Sequence, residues 1–165
     1  MISLKKQKGF TLVELLIVII IIGILATLVI VTFTGVQAKA RDSKRQTSIE
    51  AVDSHLEAFY AENGYYPTVI DLQDITASTG WVATNMKGLD PAALSDPNST
   101  PTATAATITG AAPVTSPATY VYSYQAGGTG CDNTKASDKA TNACSSFTLT
   151  AVLESGGTFV KKSNT

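Results

Sequence analysis

The sequence has few of the residues on which catalysis and metal binding usually depend. Its 165 residues include one histidine, two cysteines and one tryptophan, and only 15% of them carry a charge. None of the motifs G-x-S-x-G, G-x-G-x-x-G, H-E-x-x-H or the P-loop occurs. The sequence therefore predicts no enzyme, no cofactor and no metal site.

The length and the charge bound the class of protein further. Beyond one hydrophobic helix, 165 residues leave room for a single modest globular domain. The formal net charge is −1, which gives no case for a dedicated nucleic-acid-binding domain. The abundance of Ser, Thr, Ala and Gly suits a secreted or surface protein.

One long apolar run, from Leu15 to Phe33, dominates the first third of the chain. Its 19 residues carry no charge, and as a helix they extend about 28 Å, close to the thickness of a hydrocarbon core. Glu14 stands at the head of this run. A lone charge in hydrocarbon costs about 2.5 to 3.5 kcal/mol even on lenient scales, so this carboxylate needs a partner or a function.

Two ordinary interpretations of the run are a secretory signal peptide and a plain membrane anchor. Ala38-Lys39-Ala40 has the small-x-small form of a signal-peptide cleavage site. The apolar run, however, is longer than the apolar region of a usual signal peptide. An anchor leaves Glu14 unexplained, and because basic residues flank both ends, charge does not fix its orientation.

The stretch Lys8-Gly9-Phe10-Thr11-Leu12-Val13-Glu14, followed by the apolar run, resembles the leader and N-terminal helix of type IV prepilins and pseudopilins. The resemblance implies cleavage between Gly9 and Phe10 by a membrane-embedded prepilin peptidase, and N-methylation of Phe10. It also implies that Glu14 counters the α-amino group of a neighbouring subunit's Phe10 during filament assembly, which would fix the register between subunits.

The pattern after Phe33 predicts that the helix continues with a different character. Ile49, Val52, Leu56 and Phe59 recur at spacings of three and four and form one apolar stripe. Asn63-Gly64 is a stop signal. We therefore expect one helix from about Phe10 to Glu62, apolar all round in its first half and amphipathic in its second, with a weak point near Gly35.

The middle of the chain reads as loops with one or two short helices. Asp90-Pro91 and Asp96-Pro97 are typical of turns or helix starts. Ser95 to Thr119 consists almost wholly of small and polar residues, which predicts a flexible surface segment of the composition typical of O-glycosylated chains. Asn98-Ser99-Thr100 fits the N-glycosylation pattern, although such triplets are common by chance and a solvated loop is favoured.

Alternating patterns near the C-terminus predict an antiparallel sheet of three to four strands. The patterns cover Tyr120 to Gln125, Phe147 to Glu154 and Thr158 to Lys161, and Gly156-Gly157 joins the last two as a hairpin. Covering the helix stripe with this sheet gives an α+β fold, the pilin fold that the resemblance implies.

The two cysteines, Cys131 and Cys144, favour one disulfide over a metal site. The chain has no C-x-x-C pair, and its histidine is far away in sequence. The disulfide would bracket the loop between the first two strands, as in the C-terminal disulfide-bounded region of the family. Four side chains in that loop carry oxygens, Asp132, Asn133, Asp138 and Asn142, but their spacing matches no calcium loop, so a solvated loop is favoured.

The resemblance divides the chain into a cleaved leader at 1–9, a membrane-spanning and filament-core half-helix at 10–35, and a globular head at 36–165. The head comprises the half-helix 36–62, the connecting loop 63–118, and the sheet with the disulfide-bounded region 119–165.

We expect a structural subunit of a type IV pilus, first a single-pass protein of the inner or cytoplasmic membrane and then part of an extracellular homo-oligomeric filament. Its partners would be the prepilin peptidase and the pilus assembly platform; nucleic acid would be bound only through the filament. Adhesion, motility and DNA uptake stay open. The alternatives are a pseudopilin of a type II secretion or competence system and, more remotely, a secreted soluble protein cut after Ala40.

Overall fold

The structure is a computed structural model that describes residues 9–99, 101–113 and 120–164, without the side chains of residues 29–32 and 34. Residues 1–8 of the predicted leader, and the side chains of residues 29–32 in the predicted apolar run, thus lie outside the described part of the chain. In chain order the elements are helices α1 (Leu12–Asn63), α2 (Val69–Gln73) and α3 (Trp81–Asn85), a 3-10 helix (Pro91–Leu94), and strands β1 (Ser123–Gly127), β2 (Ser146–Val152) and β3 (Thr158–Lys162).

The chain forms two compact units, Met1–Ala38 and Lys39–Thr165, and α1 contributes to both. In the first unit, the described large apolar side chains between Leu12 and Phe33 are 48% to 87% exposed. The helix is apolar on all sides here, as the sequence predicts, and α1 is continuous through Gly35.

Among the described residues, no helix combines enough length with enough apolar character to cross a membrane.

In the second unit, α1 presents the predicted apolar stripe to the core. Ile49, Val52 and Leu56 are at most 1% exposed, and Phe59 is 4% exposed. The helix ends where the stop signal predicts, because Gly64 takes a left-handed conformation (φ +81°) and its N–H donates to the carbonyl of Tyr60 at 2.7 Å.

The three strands form one antiparallel sheet in the order β1-β2-β3, which confirms the predicted α+β layout. Tyr124, Phe147, Leu149 and Ala151 are buried in the same apolar core as the helix stripe. Gly156 and Gly157, both at positive φ, close the predicted hairpin, where Leu153 N donates to the Gly157 carbonyl.

The first strand begins later than its sequence pattern predicts. Tyr120 to Tyr122 precede β1, and the Tyr122 carbonyl accepts from Thr109 N at 2.9 Å. Tyr124 N donates back to the Thr109 carbonyl at 2.8 Å. An extended segment shows the same alternation of apolar side chains whether it pairs with β2 or, as Tyr122 does, with the segment around Thr109. The alternation alone therefore placed the start of β1 too early.

The segment predicted to be a flexible surface loop is partly built into the core. Ser95, Asp96, Ala106 and Ile108 are all less than 9% exposed, and Ala106 N donates to the Gln73 carbonyl at 3.0 Å. The prediction from small polar composition was therefore wrong for these residues. Residues 100 and 114–119 of this segment lie outside the described chain.

Two of the predicted turn signals are confirmed. Asp90 caps the 3-10 helix by accepting from Ala92 N at 2.9 Å, with Pro91 at its first position. Asp96 begins a turn in which its carbonyl accepts from Ser99 N at 2.9 Å.

Candidate functional sites

The N-terminal motif forms a reciprocal cap at the start of α1. Thr11 donates to Glu14 Oε2 through both its backbone N and its Oγ1, each at 2.8 Å, and Glu14 N donates to Thr11 Oγ1 at 3.3 Å. This is a capping box, in which each residue satisfies backbone donors that the first helical turn leaves free. The T-x-x-E pattern in the sequence would have identified it.

The Glu14 carboxylate also shares one exposed face of the first turns with Phe10. Both residues line a shallow apolar recess together with Leu15 and Val18, and Phe10 is 83% exposed. Both bonds from Thr11 reach Oε2, so the other oxygen, Oε1, receives neither. The carboxylate can therefore keep its cap and still meet a second donor.

Gly9 and Phe10, which flank the predicted cleavage position, are open to solvent. Both residues are exposed, and a Cβ built on Gly9 would meet no atom within 4 Å. The Gly9–Phe10 peptide bond thus lies outside regular secondary structure, before the first helical residue, Leu12, where a protease can reach it.

The cysteines form the expected disulfide, and hydrogen bonds hold the enclosed loop to α2. Cys131 and Cys144 are joined at an S–S distance of 2.00 Å. Asn133 Oδ1 accepts from Val69 N at 2.8 Å, and Ser137 N donates to Asp71 Oδ2 at 2.9 Å. In the chain-entropy model, closing a loop of this size contributes about 3 kcal/mol.

The loop is not simply solvated, which corrects the favoured interpretation of its polar residues. Asn142 is only 5% exposed, and its Nδ2 donates to the carbonyls of Asp132 and Ala136. Asp132 and Asp138 instead accept from N–H groups of their own turns. Over the described residues, no group of three or more side chains is placed to hold a metal ion.

Asn98, the candidate glycosylation residue, is exposed, but its side-chain amide is hydrogen-bonded within the protein. Its Nδ2 donates to Glu154 Oε1 at 3.1 Å. Thr100, the third residue of the pattern, lies outside the described chain.

Sequence reasoning missed the most highly connected polar residue, Arg45. Its side chain is 0% exposed, and its guanidinium donates to Asp96 through Nε at 2.6 Å and through Nη2 at 2.9 Å. Nη1 reaches both Asp42 Oδ1 and Glu154 Oε1 at 2.8 Å, and the carbon Cζ lies 4.4 Å from the centre of the Tyr120 ring. One buried cation thus joins α1, the turn after the 3-10 helix and the hairpin that follows β2.

Arg41 completes this ion cluster, which we define as Arg41, Asp42, Arg45, Asp96 and Glu154. Arg41 forms a bidentate pair with Glu154 at 2.7 and 2.6 Å. Hydrogen bonds from Arg41, and then from Arg45, lower the pKa of Glu154 to about 2. Burial of the carboxylate opposes this shift but does not outweigh it. Burial raises the pKa of Asp42, but hydrogen bonds from Glu154 N and Ser155 N outweigh it, so the net shift is downward.

The lowered pKa of Glu154 predicts a loss of stability in acid. Because its pKa falls from 4.5 to about 2 on folding, Glu154 stabilises the folded state above pH 4.5, and this contribution is lost as the pH falls from 4.5 to 2. We expect the free energy of unfolding, measured with denaturant at successive pH values, to fall across this window, and Glu154→Gln to remove a large part of that fall. Glu62→Gln, at an exposed position, should leave the fall unchanged, and an identical pH dependence of both variants would contradict the assignment.

The N-terminal region of the chain is similar to that of known proteins. A family model described as the prokaryotic N-terminal methylation motif matches residues 4–30, which include Gly9, Phe10 and Glu14. The chain is 43% identical over 63 residues to type II secretion system core protein G of Escherichia coli K12, and 39% identical over 61 residues to type IV major pilin protein PilA of Myxococcus xanthus. The N-terminal region thus resembles that of pilins and pseudopilins.

The pilin or pseudopilin similarity covers only part of each protein. The match to core protein G of Dickeya chrysanthemi, 41% identical over 64 residues, spans 39% of this chain and 42% of the relative. The matches from E. coli and M. xanthus span 38% and 37% of this chain, and 43% and 28% of those relatives. The chain therefore spans less than half the length of these relatives. No solved structure gives a significant match.

Proposed function

We propose that this chain is a structural subunit of a type IV pilus. The precursor is held in the inner or cytoplasmic membrane, cut between Gly9 and Phe10 by prepilin peptidase and N-methylated at Phe10. It then polymerises through α1 into a surface filament on the pilus assembly platform. The observation that carries the proposal is the exposed apolar half of α1 with a single carboxylate, Glu14, on its first turn.

The exposed half-helix supplies the driving force for polymerisation. Removing apolar surface from water stabilises an assembly by about 25 cal/mol per Å², and contiguous exposed apolar surface on this scale is typical of an interaction site. Packing of these helices in a filament core would also remove Glu14 from water. The carboxylate would then require a cation, and the α-amino group of a neighbouring Phe10 is the one that the processing step creates.

A second candidate function is a pseudopilin of a type II secretion system. It is favoured by the names of the E. coli and Dickeya relatives, both type II secretion system core protein G. Long filaments that contain this chain and can be sheared from cells would support the pilus subunit. Absence of such filaments, with the chain incorporated in a secretion apparatus, would support the pseudopilin.

The proposal is tested most directly at the N-terminus of the mature chain. Mass spectrometry of protein purified from the producing cell should find a chain that begins at a methylated Phe10. A chain that begins at Arg41 would contradict both filament proposals, because it would lack the motif and the apolar half of α1, and would support a secreted soluble protein.

A further inference from the structure

A polar recess lies beside the last turns of α1, separate from the N-terminal motif and from the ion cluster. Its walls are formed by α1 on one side and by the end of α3 with the following residues on the other, and its lining includes His55, Phe59, Glu62, Asn85, Met86 and Lys87. Its volume is about 360 Å³, within the range of about 300 to 1,000 Å³ typical of small-molecule sites.

The floor of the recess is apolar and held in place. Phe59 and Met86 are 4% and 3% exposed. The Phe59 ring is fixed by an edge contact with Tyr65, at 5.4 Å between ring centres, and by Trp81 at 5.1 Å. Because the protein itself covers almost all of these two side chains, a ligand in the recess meets little of their apolar surface and contacts mainly the polar walls.

Hydrogen bonding within the protein leaves mainly acceptors on the walls. Asn85 Nδ2 donates to the Trp81 carbonyl and to Thr84 Oγ1, both at 2.9 Å, so both of its hydrogens are used and Oδ1 is left to accept. His55 Nδ1 lies 2.9 Å from the Ala51 carbonyl, which can only accept, so Nδ1 carries the hydrogen and Nε2 is the acceptor of the neutral ring.

The charges around the recess balance. Glu62 contributes one negative charge and Lys87 one positive charge, and both residues are exposed at its edge. A singly charged ion gains little net attraction here, because its attraction to one residue is opposed by its repulsion from the other. The chemistry of the recess therefore favours a neutral molecule rich in hydrogen-bond donors.

We propose that this recess binds a neutral saccharide. Its hydroxyl groups would donate to Asn85 Oδ1, His55 Nε2 and the Glu62 carboxylate, and hydroxyl oxygens would accept from Lys87. This function is additional to filament assembly and does not depend on it.

Saturation-transfer-difference NMR on the full chain, in micelles of a detergent that carries no sugar, tests the proposal. The probes are glucose, galactose, mannose and N-acetylglucosamine at millimolar concentration. Ala58→Trp fills the recess from the exposed surface of α1, and Ala61→Trp places the same side chain at an exposed position of the same helix that does not line it.

The wild type and Ala61→Trp should transfer magnetisation to the ring C–H protons of at least one sugar, and with Ala58→Trp the signal should fall to the level seen without protein. Absence of transfer to all four sugars would overturn the proposal. Equal transfer to wild type and Ala58→Trp would also overturn it, since binding would then lie elsewhere. Either outcome leaves the filament proposals unaffected, because those depend on the N-terminus.

Discussion

Replacing Glu14 by alanine is expected to abolish filament assembly while leaving membrane insertion and cleavage after Gly9 intact. In the filament the change would leave a neighbouring Phe10 ammonium without its partner in an apolar core. Breaking a buried ion pair costs about 3 to 5 kcal/mol, and since 1.4 kcal/mol is tenfold, assembly should weaken more than about a hundredfold. The amount of sheared filament, compared with the amount of processed subunit in the membrane fraction, measures this.

The capping box makes Glu14→Gln the informative control. A glutamine at the third helical position can still accept from Thr11 N and Oγ1, so it retains the cap but not the charge. If Glu14 acts through its charge, Gln should fail as completely as Ala. Filament yield close to wild type from Glu14→Gln would mean that the cap, and not a pair with Phe10, is what assembly requires. Thr11→Ala, which removes the Oγ1 contacts and keeps the charge, should reduce assembly far less.

Features that depend on neighbours in the sequence were predicted well. The end of α1 follows from Asn63-Gly64, and the β2–β3 hairpin follows from Gly156-Gly157, because each glycine supplies a left-handed conformation that its turn requires. The buried stripe of α1 follows from the spacing of apolar residues. These signals lie within a few residues of the structure they specify, so periodicity and turn chemistry are sufficient to read them.

The ion cluster could not be predicted in the same way. Arg45 and Asp96 are 51 residues apart, and Arg45 and Glu154 are 109 residues apart. In the sequence, Arg45 is one of several basic residues after the apolar run, and Asp96 is the one charged residue in a segment of small and polar residues. Nothing local distinguishes a charge that will be buried from one that stays in water, because the difference depends on which loops fold over it.

Replacing Arg45 by methionine is expected to destabilise the second compact unit, Lys39–Thr165, strongly. Asp42 and Asp96 are 5% and 3% exposed, and the change would leave both without their buried cation. An uncompensated buried charge costs about 3 to 5 kcal/mol, a large fraction of the stability of a small domain. Denaturant unfolding of the full chain in micelles measures the change. Trp81, the only tryptophan of the sequence, packs on Phe59 and provides a fluorescence signal from within this unit.

Arg41→Met is the matched control, because it removes the same charge from the same helix one turn earlier. Arg41 is 33% exposed at its side chain and contacts Glu154, which keeps its bond to Arg45, so its loss should cost clearly less than the loss of Arg45. The stability of Arg45→Lys should lie between those of Arg41→Met and Arg45→Met, since a single ammonium cannot reproduce the four guanidinium contacts.

Adding Asp96→Asn to Arg45→Met should restore part of the lost stability, because it removes one of the charges left unpaired. Equal stability of Arg45→Met and Arg41→Met would mean that the buried guanidinium contributes no more than a surface ion pair.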